Sequence, residues 1–271
     1  MSDRYSRNEG LFGAEGQAAI ARTRVAVVGA GGLGCHVAQQ LSYLGTKYLA
    51  VIDDDIVTLS SLNRLVGATE ADAIAGTKKV VVAQRTARAA NATIEFDYYD
   101  GRVEDSGAYE LLEGSDVIFG CVDDDAARLS LTRISAELKK PYIDLASDIG
   151  ASWWGGHVLV ADGEHCLVCL GMLALEQLAV EGMTPDQRLA RDRIYGIPRA
   201  ALATTGPMVV SINASIASFG ITEFVALVTG IREPFKNLTY RADLQMLTKS
   251  KDAPSPNCYY CKGLRASGRR D

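Results

Sequence analysis

The chain has no surplus of positive charge: 28 Lys and Arg stand against 33 Asp and Glu, a formal net charge of -5. Broad nucleic-acid binding normally shows as a basic excess, so that class is set aside. Only the tail is locally basic, with Arg265, Arg269 and Arg270, and it reads as a solvated terminus. The polar start, Met1 to Arg7, holds no apolar stretch of the kind a secretory leader needs, which makes a cytoplasmic protein the expectation. Neither an internal repeat nor a low-complexity tract is present, so solenoid and compositionally disordered architectures drop out. The one long apolar run, Pro207 to Val228, contains Asn213 and Glu223 and lacks flanking positive clusters, so it reads as a buried core helix rather than a membrane span. No cysteine occurs between Met172 and Ala203.

What is there begins with Val25-Ala-Val-Val-Gly-Ala-Gly-Gly-Leu-Gly34. Val25 to Val28 reads as a buried strand, and Gly29, Gly31 and Gly34 give the G-x-G-x-x-G spacing at the turn into a helix starting near Leu33. Glycines there let the backbone approach a phosphate closely, while the free N–H groups at the helix start favour negative charge. The motif means a nucleotide; alone, it fits a dinucleotide oxidoreductase.

Beyond the glycine loop, strand and helix alternate. A helix over Cys35 to Leu44 stops at Gly45, and a strand over Tyr48 to Ile52 ends in Asp53-Asp54-Asp55, where a nucleotide fold places a carboxylate on ribose hydroxyls. Helices are expected at Lys78 to Asn91, Ser106 to Glu113 and Ala126 to Leu138, with strands at Thr93 to Tyr98, Asp116 to Gly120 and Pro141 to Leu145. This predicts an α/β, Rossmann-like, doubly wound and mostly parallel sheet with its ligand at the carboxyl ends of the strands. Asp53, Arg64, Lys79 and Asp123 all fall on that edge. A short helix at Ala14 to Ala21 is expected outside the main core.

The second half breaks the pattern. Gly155 to Ala161 reads as a strand, Met172 to Arg193 as a polar, partly helical segment, and Asn237 to Thr248 as one or two strands, giving a mixed or antiparallel C-terminal portion. Thr204-Thr-Gly-Pro207 is expected to supply an N-cap and an early helix proline to the long apolar helix. The whole of 1–271 reads as a single domain with an N-terminal arm (1–21), a nucleotide-binding half (22–150) and a second half (151–271).

Two C-x-x-C pairs, Cys166/Cys169 and Cys258/Cys261, lie about 90 residues apart and suit one tetrahedral thiolate site. Four thiolates leave no open position, so a zinc ion there is structural. A redox pair and disulfides are the competing readings. Cys35 and Cys121 read as small buried residues.

Taken together, Arg-Tyr-x-Arg at 4–7, Gly-x-Gly-Gly-Leu-Gly at 29–34, Asp-x-Asp-x-Val at 53–57, Leu-Asn-Arg at 62–64, Gly-x-x-Lys at 76–79, Cys-x-Asp at 121–123 and both knuckles resemble the ThiF/MoeB family of ubiquitin-activating-type adenylyltransferases. The resemblance implies adenylation by MgATP of the C-terminal glycine carboxylate of a small ubiquitin-fold carrier protein, with release of pyrophosphate. It assigns the loop Gly29, Gly31, Gly32, Leu33 and Gly34 to ATP, together with Asp55. It also places Arg64 and Lys79 on the phosphates, Asp53 on the ribose, Asp123 on Mg²⁺, and Asn63 on a phosphate or the incoming carboxylate. Arg7 would reach the triphosphate of a partner subunit, making a homodimer functional, and the second half would bind the carrier and form the dimer. Where the family has Asn-Leu-x-Arg-Gln, this chain has Ser61-Leu62-Asn63-Arg64-Leu65. Without a cysteine in 172–203, activation stops at the acyl-adenylate, to be handed to a separate sulfur donor or another protein's thiol.

Three other readings remain open on the sequence. One is adenylation of a peptide or a tRNA-bound carboxylate, another a non-catalytic module that binds a ubiquitin-like protein, and the third a nicotinamide dehydrogenase. Trp153-Trp154 suits a carrier contact or a core or dimer-interface aromatic pair.

Overall fold

The computed structural model describes residues 3–150, 153–173, 207–250 and 253–267. Arg24–Val28 (β1), Tyr48–Ile52 (β2), Glu95–Tyr99 (β3), Val117–Gly120 (β4) and Tyr142–Ile149 (β5) pair in parallel. Trp154–Ala161 (β6), Asn237–Arg241 (β7) and Met246–Lys249 (β8) continue the same sheet antiparallel, in the order β3-β2-β1-β4-β5-β6-β7-β8. The expected sheet is therefore one continuous layer. β5 runs four residues past its expected end because β6 pairs with it all the way from Tyr142 to Ile149.

The central strands are apolar on both faces because helices cover both. Val25 and Val27 of β1 join one core cluster, and Ala26 and Val28 join the other. The first face packs against Ser6–Arg22 (α1), Gly34–Leu44 (α2), Lys79–Ala90 (α4) and Val210–Thr229 (α7). Ser106–Glu113 (α5) and Asp125–Glu137 (α6) cover the second. Glu70–Ala75 (α3), capped reciprocally by Thr69 and Asp72, has no counterpart in the periodicity because it is under two turns long.

Two expectations need correction. The N-terminal segment is not a short helix lying off the core: α1 has a first limb ahead of Gly13, which breaks the helix at φ 73°, and a second limb over the expected Ala14 to Ala21 stretch. Ile20 is fully buried in the main core cluster. A sparse apolar pattern hid this, since Gly16, Gln17 and Ala19 make up the rest of the buried face. The long apolar helix begins at Val210, with Val209 as its N-cap and no side-chain cap bond, so Pro207 precedes the helix instead of sitting in its first turn. Thr204 to Gly206 and most of the Met172 to Arg193 segment lie outside the described residues.

α7 is long and apolar enough to cross a membrane by length and composition, and half of that stretch is buried inside this fold. It lies against α1, α2, β5 and β6. Its Glu223 is buried and met by both Arg232 guanidinium nitrogens, at 2.7 and 2.8 Å, and by the Phe235 N–H. Strand order reverses at β1, with β2 to one side and β4 to the other, so the loops leaving β1 and β4 diverge and open a crevice between them.

Candidate active site

That crevice is a 480 Å³ cavity reached by the carboxyl ends of β1, β2, β4 and β5. Because a parallel strand hands its chain to a helix running back, this edge also collects helix N-termini: those of α2, α4, α6 and α7 all meet the cavity wall, through Leu33, Lys79, Asp125 and Asn213. Their N-terminal partial charges favour an anionic ligand.

The glycine loop is shaped by close backbone approaches. Gly29 has φ +89°, and a Cβ there would lie 2.6 Å from the Cys121 carbonyl; a Cβ on Gly34 would lie 1.8 Å from the Gly29 carbonyl. No larger residue fits either place without moving the loop. Asp53 holds the loop from β2: its carboxylate accepts the Ala30 N–H at 2.6 Å and the Asp55 N–H at 2.9 Å. Burial pushes the Asp53 carboxyl up, while Lys79 and those two N–H bonds pull it down.

Gly29, Gly31, Gly32, Leu33, Asp53, Asp55, Arg64, Lys79 and Asp123 line this one cavity. Lys79 Nζ is paired with Asp55 at 2.5 Å. Arg64 donates through one terminal nitrogen to the Ser60 carbonyl at 2.6 Å and to Asn63 Oδ1 at 3.0 Å. Asn63 thus reaches the cavity only through Arg64 and is not part of its wall. Gly34 sits behind the wall, where it packs on Gly29. The three consecutive acids after β4 divide their work: Asp124 caps α6 by accepting the Ala126 and Ala127 N–H groups, and Asp125 pairs with Arg128 at 3.0 Å. Asp123 carries no such bond among the described residues and is exposed on the rim.

Arg7 lies elsewhere. Two residues before it, Tyr5 packs on Gly45 at the far end of α2. The eleven residues of α2 put that end about 16 Å from the glycine loop. The substitutions at 61 and 65 do not alter the wall: Ser61 is bonded into a capping box with Thr58, and Leu65 is buried beside Cys35, Val57 and Val82.

Sequence reasoning missed a buried polar group behind the rim. Arg128 grips Asp144 through two nitrogens at 3.2 and 2.6 Å, Tyr142 donates to the same carboxylate at 2.6 Å, and His157 Nε2 lies 2.9 Å from Arg128. Burial opposes the Asp144 charge, but His157 and Arg128 hold its pKa at about 2. The available signal was an Asp inside an otherwise apolar strand, which requires a partner. Asn213, noted in the sequence only as an interruption of an apolar run, also lines the cavity.

The four knuckle cysteines come together. Cys166 Sγ is 3.6 Å from Cys258 Sγ, Cys169 Sγ is 3.9 Å from Cys261 Sγ, and all four sulfurs lie within 4.8 Å of one another. Thiolates about 2.3 Å from a tetrahedral zinc would be about 3.8 Å apart, so the cluster fits that ion. His165 belongs to a neighbouring group with Asp162 and Glu164 and not to this one. Burial raises the Cys166 thiol to about 12, which a bound cation would reverse. Cys35 and Cys121 are buried, and Trp154 is 42% exposed on β6, which removes it from the core.

Comparison with known proteins agrees with this architecture. Escherichia coli (strain K12) molybdopterin-synthase adenylyltransferase is 28% identical over 265 residues, 95% of each chain. The Haloferax volcanii SAMP-activating enzyme E1 is 37% identical over 134 residues, 49% of each chain. Dictyostelium discoideum ubiquitin-like modifier-activating enzyme 5 is 27% identical over 256 residues, 88% of this chain and 61% of that one. The chain thus spans less than two thirds of the length of the latter two. Among solved structures, Escherichia coli MccB with ATP superposes with a TM-score of 0.73 over 96% of this chain and 75% of that one, at 19% identity, a likeness of fold. The ThiF family model matches residues 5–260, which takes in the glycine loop, the acid-lined cavity and three of the four knuckle cysteines, Cys261 falling one residue beyond it, and the chain belongs to the ThiF family.

Proposed function

We propose that the protein adenylates the C-terminal glycine carboxylate of a small ubiquitin-fold or sulfur-carrier protein, using ATP and releasing pyrophosphate. The observation that carries this reading is the cavity's mixed electrostatics. Four helix N-termini and the cations Arg64, Lys79, Arg102 and Arg128 line a site that also holds eight carboxylates among its lining side chains. A triphosphate entering so acidic a space needs a counter-cation; Asp54, Asp123 and Asp148 are the lining carboxylates with no side-chain hydrogen bond among the described residues, and the family resemblance assigns that role to Asp123. Its hard oxygen donors suit Mg²⁺, which when bound would neutralise phosphate charge.

In the reaction, an oxygen of the glycine carboxylate attacks the ATP α-phosphorus, the bond to the bridging oxygen breaks, and pyrophosphate leaves with its electron pair. No protein proton is required. Catalysis then consists of alignment and charge stabilisation, which fixed groups such as Arg64, Lys79 and the loop N–H groups supply. Asp53 would orient the ribose. Cys121 is the cavity's own thiol, and burial together with Asp144 keeps it well above the ordinary thiol range, so it is protonated and inert. Activation would end at the acyl-adenylate, and a separate cytoplasmic sulfur donor or conjugating protein would take over the acyl group.

The zinc cluster would tie the C-terminal knuckle to the segment after β6, and a homodimer would supply Arg7 in trans. Incorporation of labelled pyrophosphate into ATP, measured with carriers ending in Gly-Gly, tests the reading. Exchange that depends on such a carrier supports it; failure to bind ATP, or exchange indifferent to the carrier, overturns it.

A further inference from the structure

Asn213 is 1% exposed, yet among the described residues neither its side-chain nitrogen nor its oxygen has a hydrogen-bond partner. It stands in the first turn of α7, on the wall of the cavity. A Cβ on Gly32 would lie 2.2 Å from Asn213 Nδ2 and 3.3 Å from the Arg64 side chain, so the glycine loop is cut back at that point to admit the amide. An unpaired buried amide is costly, and both ends of this one are unpaired. Such a group in a ligand cavity is completed by the ligand.

The two missing partners define that ligand. Nδ2 needs an acceptor and Oδ1 needs a donor. Phosphate and carboxylate groups only accept, so neither satisfies Oδ1. A ribose hydroxyl or the adenine edge does both, but Asp53 places the nucleoside at the β2 end of the cavity. Asn213 instead stands over Gly32 and beside Arg64, on the phosphate side of the glycine loop. The remaining group with one donor and one acceptor side by side is a peptide bond of the co-substrate.

We propose that Asn213 is a substrate-binding residue that grips the last peptide bond of the incoming carrier tail, donating from Nδ2 to its carbonyl and accepting its N–H at Oδ1. This rests on the adenylation reading above and specifies how the acyl acceptor is held. The paired bonds would fix the terminal glycine with its carboxylate facing the triphosphate over Gly32, and the grip reads backbone, not side chain.

The test uses the full-length protein and a ubiquitin-fold sulfur-carrier protein ending in Gly-Gly, prepared by peptide ligation with its last amide either free or N-methylated. Pyrophosphate exchange by the wild-type protein with the ordinary tail checks the adenylation reading itself; its absence would remove that reading, independently of how Asn213 treats the two tails. Given exchange, N-methylation should lower kcat/KM for the carrier about tenfold in the wild type, the effect of one lost hydrogen bond. Asn213→Leu should treat the two tails alike within about twofold, with KM for ATP unchanged and Tm raised, because two unpaired polar atoms are gone. Asn213→Ser, measured for zinc content and exchange, serves if the leucine variant does not fold. The inference is overturned if the variants still discriminate between the tails about tenfold, if KM for ATP rises with substitution, or if wild type accepts both tails equally.

Discussion

Lys79 Nζ and Asp55 Oδ2 lie 2.5 Å apart on the rim of the cavity, so the lysine assigned to the phosphates is already occupied by a carboxylate. A triphosphate competes with Asp55, whose side chain is 66% exposed, for the three N–H donors of the ammonium. Exposed pairs contribute about 0–1 kcal/mol. Asp55→Asn should therefore tighten ATP binding by no more than about fivefold, while Lys79→Ala should lower pyrophosphate exchange by about a hundredfold or more. Calorimetric ATP titration and exchange rates check the two together, and a large loss of ATP affinity in Asp55→Asn would mean the carboxylate serves the nucleotide directly.

The adjacent acids Asp123 and Asp124 should separate function from stability. Asp123→Ala is expected to abolish exchange with Tm and zinc content unchanged, because nothing in the described fold depends on its carboxylate. Asp124→Ala removes the α6 cap and should cost about 1 kcal/mol of stability with ATP affinity preserved. Thermal unfolding beside exchange assays decides this, and robust exchange by Asp123→Ala would remove that residue from the mechanism.

Arg7 offers a test of the dimer. Tyr5 anchors its neighbourhood at Gly45, beyond the reach of its own chain's cavity. Arg7→Ala and Asp123→Ala should each be inactive alone. Mixed in equal amounts under exchange of subunits, they should recover about a quarter of wild-type activity, since half the dimers then hold one complete site. No recovery at all would place Arg7 outside catalysis in trans.

The cysteine cluster predicts one zinc per chain. Cys258→Ser should lose the metal and lower Tm, and an excess of chelator at elevated temperature should do the same to the wild type. Elemental analysis and calorimetry provide the readout; full metal occupancy in Cys258→Ser would refute a four-thiolate site.

Asp144 gives a pH dependence of defined sign. Its folded-state pKa of about 2 lies below the ordinary carboxylate value of 3.8. Its contribution to stability is thus complete above that ordinary value and disappears as pH falls toward about 2. Asp144→Asn leaves the buried Arg128 guanidinium without its counter-charge and should destabilise the fold by about 3–5 kcal/mol at neutral pH. It should also flatten the acid limb of the stability profile between about pH 4 and 2. Denaturant titrations across that range test both.

The parallel half of the sheet and the paired cysteine knuckles were legible in the chain because both depend on local spacing. An apolar run, three glycines and a cap specify strand, loop and helix whatever surrounds them, and a knuckle's two sulfurs are three residues apart in any fold. Even the edge on which Asp53, Arg64, Lys79 and Asp123 meet follows from strand direction alone. Tertiary packing decided the rest. Whether Asp123, Asp124 or Asp125 is left open toward a ligand depends on which one the α6 terminus and Arg128 consume. Whether Arg7 serves its own cavity depends on the length of α2. Asn213 had the same letters around it in either role, and only the approach of α7 to Gly32 turned an interruption in an apolar helix into an unpaired amide facing the cavity. Burial and partnership are properties of distant segments brought together, which no local pattern encodes.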